Sequence, residues 1–173
     1  VLTGGKIIIE NAPINQLDSL LSKLRECGAD LKVTENNLQI QRNNPLVPVN
    51  FQSLPYPGMP TDLQAPMASL LTQASGVSIV QERVFENRML YVNELRKMGA
   101  DIVITGTSAV ISGPSKLSGA QVTALDVRAG AAVLLAACVA TGISTITEIE
   151  HLDRKYDNLQ EKFCALGAQL ERL

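Results

Sequence analysis

The sequence predicts an α/β fold in which repeated units of strands and helices enclose buried central helices. The first observation is a recurring frame: "KLRECGADLKV" (23–33) returns as "ELRKMGADIVI" (94–104) and, more loosely, as "KFCALGAQLER" (162–172). Recurrence at a similar spacing indicates repeated structural units. The second observation is that "LQAPMASLLTQA" (63–74) and "VRAGAAVLLAACVA" (127–140) are apolar on nearly all sides. That pattern is typical of helices that are buried on every face.

The first unit shows the order of elements most clearly. A β-rich run over 4–12 predicts a strand. Leucines at helical spacing predict a helix over 17–27, and Gly28 is a natural residue at which to end it. "ADLKV" and "NLQIQ" flank the polar turn 34–37 and predict two short strands. A long loop then leads to the predicted buried helix at 63–75.

The same order continues along the chain. It predicts units at approximately 4–75, 76–141 and 142–173, the last of them partial. The helices at 63–75 and 127–140 should be the most buried elements, with the strands outside them. A solenoid is possible, but closing the units around the apolar helices fits better because those helices need cover on all sides.

Composition and charge limit the classes of function. The chain has 173 residues, 46% of them hydrophobic, and a net charge of −2. We expect no nucleic-acid partner, because such proteins carry an excess of Lys and Arg on one face. We also expect no membrane span, because no apolar run reaches about 18 residues. The start, "VLTGG", lacks the features of a signal peptide, so we expect a cytoplasmic protein.

Cysteine and histidine predict neither disulfides nor a metal site. Cys27, Cys138 and Cys164 form no CxxC pair, and each lies in an apolar helical pattern that predicts packing in or near the core. The single histidine, His151, has no Cys or His neighbour at ligand spacing, so a zinc site has almost no support.

Four polar stretches are candidates for a functional site. They are "PTDLQ" with Asp62, "RVFENRM" with Arg88, "LDVRAG" with Arg128 and "EHLDRKYD" with Arg154. Each also has a plain structural interpretation as a helix cap, a polar turn or a solvated charge cluster. Four prolines between residues 55 and 66 stiffen the approach to Asp62.

Taken together, the four stretches predict a single binding site. If the units share an axis, their related loops emerge on related sides, and helix N-termini with arginines then form an anion site. Arginine suits phosphate and carboxylate because its planar fork binds them bidentately. A carboxylate beside a bound hydroxyl could accept its proton as a general base.

Long stretches of this chain resemble the UDP-N-acetylglucosamine 1-carboxyvinyltransferase family. They are "YPGMPTDLQAP", "VFENRMLYVNELRKMGADI", "LSGAQVTALDVRAGAAVLLAA" and "HLDRKYDNLQEKFCALGAQLER". The resemblance runs from about Gly4 to Leu173. It implies lobes of βαβαββ units forming an inside-out α/β barrel with the helices inside. It also implies transfer of the enolpyruvyl group of phosphoenolpyruvate to the 3-hydroxyl of UDP-N-acetylglucosamine, the first committed step of peptidoglycan synthesis, without a metal or organic cofactor.

The resemblance also implies roles for individual residues. Asp62 matches the general base for the sugar hydroxyl. Arg128 and Arg154 match arginines near the phosphoenolpyruvate carboxylate, and Arg88 matches a further active-site arginine. Val84 lies where the family places a backbone carbonyl beside the UDP-sugar.

Departures from the family pattern suggest a partial enzyme. The family's catalytic cysteine lies on a mobile loop of the other lobe, and no cysteine of this chain matches it. The family's amino-terminal lysine and other-lobe arginine are absent too, and Lys155 stands where glycine is common. We therefore expect most of one lobe, inactive alone and partnered by a second lobe. The alternatives are the shikimate-pathway enolpyruvyl transferase, which shares the fold, and a non-catalytic repeat domain that only binds a partner.

Overall fold

The computed structural model describes all 173 residues as a mixed α/β protein. Its helices and strands follow one another in an irregular alternation. In chain order they are β1 (Lys6–Glu10), α1 (Asp18–Glu26), β2 (Asp30–Val33), β3 (Asn37–Gln41), β4 (Phe51–Gln52), α2 (Gln64–Leu71), β5 (Gly76–Gln81), α3 (Tyr91–Lys97), β6 (Asp101–Thr105), β7 (Ser108–Gly113), β8 (Gln121–Thr123), α4 (Val127–Ala137), β9 (Thr145–Thr147), α5 (Glu150–Asp153) and α6 (Leu159–Ala165).

Three separate sheets surround the helices. The first is antiparallel, in the order β1-β3-β2, and the second has the order β4-β5-β7-β6 with only β4 and β5 parallel. The third is the parallel pair β8-β9. These sheets do not join into a closed barrel within this chain. The predicted inside-out arrangement is therefore present for the buried helices α2, α3 and α4, with strands outside them and without closure.

The helix that follows the proline-rich loop is the most completely buried one. Seven of the eight residues of α2 are buried, as the apolar pattern predicts. In α4 six of eleven are buried, and in α3 four of seven. The sequence did not single out α3, because its buried face includes the polar residue Glu94. The buried Ala and Gly residues of α4 are small and allow the helices to approach closely.

A buried hydrogen bond fixes the contact between the two apolar helices. The hydroxyl of Ser69 in α2 donates to the carbonyl of Ala132 in α4 at 2.7 Å. A buried hydroxyl that lacked a partner would cost free energy, so this bond favours one register of the two helices. None of the helices is long and apolar enough to cross a bilayer.

The three cysteines differ in exposure, which partly contradicts the prediction of core packing. Cys27 is buried and donates from its thiol to the carbonyl of Val47, while Cys138 is partly buried and Cys164 is exposed. Cys164 lies on α6, which has no buried residue. Burial, together with the nearby Glu26 carboxylate, raises the pKa of Cys27 to about 11. Burial also raises the pKa of Cys138.

We expect these differences to order the reactivity of the cysteines. The thiolate is the reacting form, so Cys164 should be alkylated first by a maleimide at neutral pH. Cys27 should react only after unfolding, because it is inaccessible and its pKa is raised. Mass spectrometry of digested, time-quenched samples measures the order. Labelling of Cys27 as fast as Cys164 in the folded chain would contradict the burial described here.

Candidate active site

Asp62 lies in a 3₁₀ turn, Thr61–Leu63, immediately before α2. The turn follows Pro60, which has extended backbone angles, and Asp62 makes no side-chain capping bond. The residue before α2, Leu63, gives no side-chain cap either. The interpretation of Asp62 as a helix cap is therefore wrong. The stiff loop presents the carboxylate outward instead, and its side chain is 52% exposed.

Three cations from three distant parts of the chain surround this carboxylate. Arg88 Nη1 lies 3.5 Å from Asp62 Oδ1, and Arg128 Nη1 lies 3.8 Å from the same oxygen. Lys155 Nζ lies 3.3 Å from Asp62 Oδ2. We call these four residues the Asp62 cluster. The three pairs are long and partly exposed, and such pairs contribute only about 0–1 kcal/mol each to stability.

Arg88 is placed by the irregular segment between β5 and α3. Asn87 has a φ of 56°, in the left-handed region that Asn adopts more readily than most residues. The guanidinium of Arg88 lies 4.1 Å from the centroid of the Phe85 ring. A cation over an aromatic face is attracted by the ring quadrupole, so Phe85 restrains the arginine from one side.

Arg128 lies in the first turn of α4, which is capped by its neighbour. The carboxylate of Asp126 accepts hydrogen bonds from the backbone N–H groups of Arg128 at 2.7 Å and Ala129 at 2.9 Å. The interpretation of "LDVRAG" as a helix cap is therefore confirmed, with Asp126 as the N-cap residue. Asp126 also pairs with the Arg128 side chain, which orients the guanidinium towards Asp62.

Lys155 reaches the cluster because α5 packs against α4. The glycine at 130 makes room for this contact: a Cβ there would lie only 2.9 Å from the side chain of Leu152. Leu152 is buried, and the chain leaves α5 two residues later. Sequence reasoning did not place Lys155 in the site. Its contact with Asp62 spans 93 residues, and no local pattern carries that information.

Arg154 has a different environment from the one the sequence suggested. It is the residue that ends α5, rather than one at a helix start, and it is exposed. Its side chain makes no hydrogen bond or ion pair within the chain. Its neighbour Asp153 is held by the Arg172 side chain, whose hydrogen bonds lower the pKa of that carboxyl group. The structure therefore brings Asp62, Arg88 and Arg128 together and leaves Arg154 without a side-chain partner, next in sequence to Lys155.

Val84 lies in the same segment as Arg88. Its backbone N–H donates to Glu82 at 2.7 Å, and its carbonyl accepts no backbone hydrogen bond. That carbonyl therefore has an unused acceptor within this chain.

The charges of the Asp62 cluster favour an anionic ligand. One carboxylate faces three cations, so these four residues carry a formal excess of two positive charges, which the Asp126 carboxylate on Arg128 lowers to one. The dipole of α4 also favours negative charge beside Arg128, although Asp126 already accepts from the first backbone N–H groups of that helix. No group of three or more metal-ligating side chains converges in the chain. The arrangement can hold an anion and offer one carboxylate to a neighbouring proton donor.

A family model for EPSP synthase (3-phosphoshikimate 1-carboxyvinyltransferase) matches residues 1–163 of this chain. The chain belongs to the EPSP synthase family.

Curated relatives of the EPSP synthase family are similar to the chain over almost all of its length. UDP-N-acetylglucosamine 1-carboxyvinyltransferase 2 of Clostridium acetobutylicum is 47% identical over 169 residues, which is 98% of this chain and 40% of the relative. The protein of the same name from Carboxydothermus hydrogenoformans is 47% identical over 175 residues, covering 100% of this chain and 42% of the relative. The chain thus spans about 40% of the length of these relatives.

Solved structures show the same fold. The enolpyruvyl transferase NikO from Streptomyces tendae matches with a TM-score of 0.88 and 28% identity, over 97% of this chain and 41% of that one. EPSP synthase from Acinetobacter baumannii matches with a TM-score of 0.70 and 17% identity, over 98% of this chain and 40% of that one. Because EPSP synthase from Acinetobacter baumannii is only 17% identical to this chain, its similarity shows a shared fold and nothing more.

Proposed function

We propose that this chain forms most of one lobe of a two-lobed enzyme. The complete enzyme transfers the enolpyruvyl group of phosphoenolpyruvate to the 3-hydroxyl of UDP-N-acetylglucosamine. The observation that carries the proposal is the Asp62 cluster, in which one exposed carboxylate lies among three cations. The choice of the UDP-sugar over shikimate 3-phosphate is supported by relatives 44–47% identical that are named for it.

The proposed reaction needs a base and an anion site side by side. Asp62 takes the proton of the sugar hydroxyl, whose oxygen forms a bond to C2 of phosphoenolpyruvate while an acid of the second lobe protonates C3 and the C2=C3 double bond opens. The tetrahedral intermediate then loses a proton from C3, the double bond re-forms, and the bond from C2 to the phosphate oxygen breaks, which releases phosphate. Positive charge near the developing negative charge lowers the barrier to such a step. The cluster provides both features, because Asp62 is within 4 Å of each cation.

We assign the remaining roles by the match of each residue to the family motifs described in the sequence analysis. Arg128 and Arg154 bind the carboxylate of phosphoenolpyruvate, and Arg88 is a further arginine that contacts the reacting groups. The Val84 carbonyl accepts a hydrogen bond from the UDP-sugar. The lack of an ion pair at Arg154 supports this assignment, since its guanidinium is free to bind a ligand.

The organisation of the chain belongs to the same proposal. The three units at about 4–75, 76–141 and 142–173 build the lobe, and a second lobe of the same protein supplies the catalytic cysteine and further cations. The enzyme needs no cofactor or metal. It works in the cytoplasm, in cell-wall synthesis, and thereby supports cell shape and division.

Substrate choice is the direct test of the proposed function. Phosphate release from phosphoenolpyruvate by the complete protein is measured with UDP-N-acetylglucosamine and, separately, with shikimate 3-phosphate. We expect release with the UDP-sugar only. Release with shikimate 3-phosphate only would favour the sibling enzyme. Release with neither, together with a complete gene that lacks a second lobe, would favour a non-catalytic binding domain.

The 173-residue chain alone is expected to be inactive. Half of the contacts to substrate are missing, so any remaining binding of the UDP-sugar should be weak. Phosphate release from the two substrates is compared with a heat-killed control. Turnover above that control would contradict the assignment of part of the active site to a second lobe.

A further inference from the structure

Glu82 is a buried carboxylate with an unusually complete set of hydrogen bonds. It directly follows β5 and is only 3% exposed. One oxygen, Oε2, accepts from the Thr61 hydroxyl at 2.7 Å and from Gln64 Nε2 at 2.9 Å. The other, Oε1, accepts from the backbone N–H groups of Val84 at 2.7 Å and Phe85 at 3.1 Å. A charged group this deep is tolerated when such donors replace its water.

These four donors belong to two separate loops of the candidate site. Thr61 begins the turn that carries Asp62, and Gln64 follows that turn as the first residue of α2. Val84 and Phe85 begin the segment that carries Arg88, and the Phe85 ring contacts the Arg88 guanidinium. One oxygen of Glu82 therefore accepts hydrogen bonds from the loop that carries Asp62, and the other accepts them from the loop that carries Arg88. The carboxylate thereby connects the two loops.

We propose that Glu82 is a positioning residue that sets the distance between Asp62 and Arg88 and thereby controls turnover. The inference rests on the proposed function for its kinetic consequence, while the coupling of the two loops is a property of this chain alone. Direct pairing of Asp62 with Arg88 is too loose to fix that distance, since the closest atoms are 3.5 Å apart and partly exposed. The bonds to Glu82 are shorter, and charge-assisted bonds of this kind are stronger than neutral ones.

Only an ionised carboxylate matches all four donors. It offers acceptor sites on both oxygens, whereas an amide offers one acceptor and one donor. In Glu82→Gln the amide oxygen can still accept from Val84 and Phe85. The amide nitrogen then faces the Gln64 amide as one donor against another. The substitution should therefore loosen the Asp62 loop and also weaken the bonds to Val84 and Phe85, because a neutral amide oxygen accepts more weakly than a carboxylate and the side chain is no longer held from the Asp62 side.

The kinetic test compares two equally buried carboxylates in the complete protein. We expect Glu82→Gln to lower kcat by roughly 10- to 100-fold, because a displacement of about 1 Å can cost that much, with a smaller change in KM. The control is Glu94→Gln. Glu94 is 5% exposed and accepts from the Thr123 N–H and the Lys97 ammonium, away from Asp62. Unchanged kcat in Glu82→Gln, or an equal loss in Glu94→Gln, would overturn the proposal.

If Glu82→Gln does not fold, a second pair of variants with a smaller expected effect on stability tests the proposal. Thr61→Val keeps the size of the side chain but removes the hydroxyl that donates to Glu82, and Thr61→Ser retains it. Thr61 is only partly buried, so both should fold. We expect kcat to fall about two- to tenfold in Thr61→Val, as for the loss of one hydrogen bond, and to be retained in Thr61→Ser. Equal activity of the two variants would overturn the proposal.

Hydrogen exchange separates this inference from the proposed function. In Thr61→Val, but not in Thr61→Ser, the amides of Val84 and Phe85 should exchange faster, although they lie more than 20 residues away in sequence. If the wild-type protein turns over neither substrate, the proposed function fails and the exchange rates still decide the coupling. If exchange at these amides is identical in both variants, the two loops are not coupled through Glu82, and the inference fails even where Asp62→Asn abolishes turnover.

Discussion

Asp62→Asn in the complete protein should lower kcat by roughly 10²–10⁴-fold while the protein remains folded. Asparagine has the same size as aspartate, but its amide cannot take a proton from a hydroxyl group. The fold should tolerate the change because Asp62 caps no helix and its side chain is 52% exposed. Breaking exposed ion pairs of this kind typically changes stability by about 1 kcal/mol or less.

The measurement pairs steady-state turnover with a melting temperature for each variant. Asp101→Asn is the matched control, because Asp101 is an exposed aspartate at the start of β6 and outside the Asp62 cluster. Near-normal turnover in Asp62→Asn would remove Asp62 from the catalytic role. A joint loss of turnover and stability would show that Asp62 has a structural role that its exposure and its lack of a capping bond do not reveal.

Leu71→Ala should destabilise the protein by about 2–5 kcal/mol. Leu71 is the last residue of α2, is 0% exposed and belongs to the main hydrophobic core. Removing its side chain leaves a cavity between helices and sheets that cannot collapse easily, because α2 is covered on nearly all sides.

The shift in the urea midpoint of unfolding of the complete protein measures this effect. Leu166→Ala is the control: Leu166 is 69% exposed, and its loss should change the free energy of unfolding by about 0.5 kcal/mol or less. Equal midpoints for the two variants would mean that α2 is not the centre of the core.

The elements with strong local patterns were predictable from the sequence. The leucines of α1 and the apolar run of α2 gave helices close to the observed bounds, and Gly28 ends α1 with a φ of 97°. The cap of α4 by Asp126 was also predictable, because a capping residue and its targets are neighbours in sequence. The strands β4 and β8 were missed, since two- and three-residue strands have no periodicity to recognise.

The candidate site was predictable only in part. Asp62, Arg88 and Arg128 were candidates from their polar stretches and from the resemblance, and the structure brings them together. The geometry of Asp62 did not follow, because a 3₁₀ turn after Pro60 replaces the expected capped helix start. The partners of Lys155 and Glu82 depend on contacts between distant segments. Such contacts depend on how α5 packs against α4 and on how the end of β5 meets the loop before α2. A short stretch of sequence does not determine either packing arrangement.

The spacing of the Asp62 cluster along the chain has a consequence for the order of folding. Asp62 is separated by 26 residues from Arg88 and by 93 from Lys155. Closing the longer loop costs about 1 kcal/mol more chain entropy, since the cost grows as (3/2)RT ln n. The pair with Lys155 can form only after α5 docks on the glycine face of α4. A partly folded chain in which α5 has not docked therefore lacks the Lys155 contact, and its Asp62 cluster has two cations instead of three.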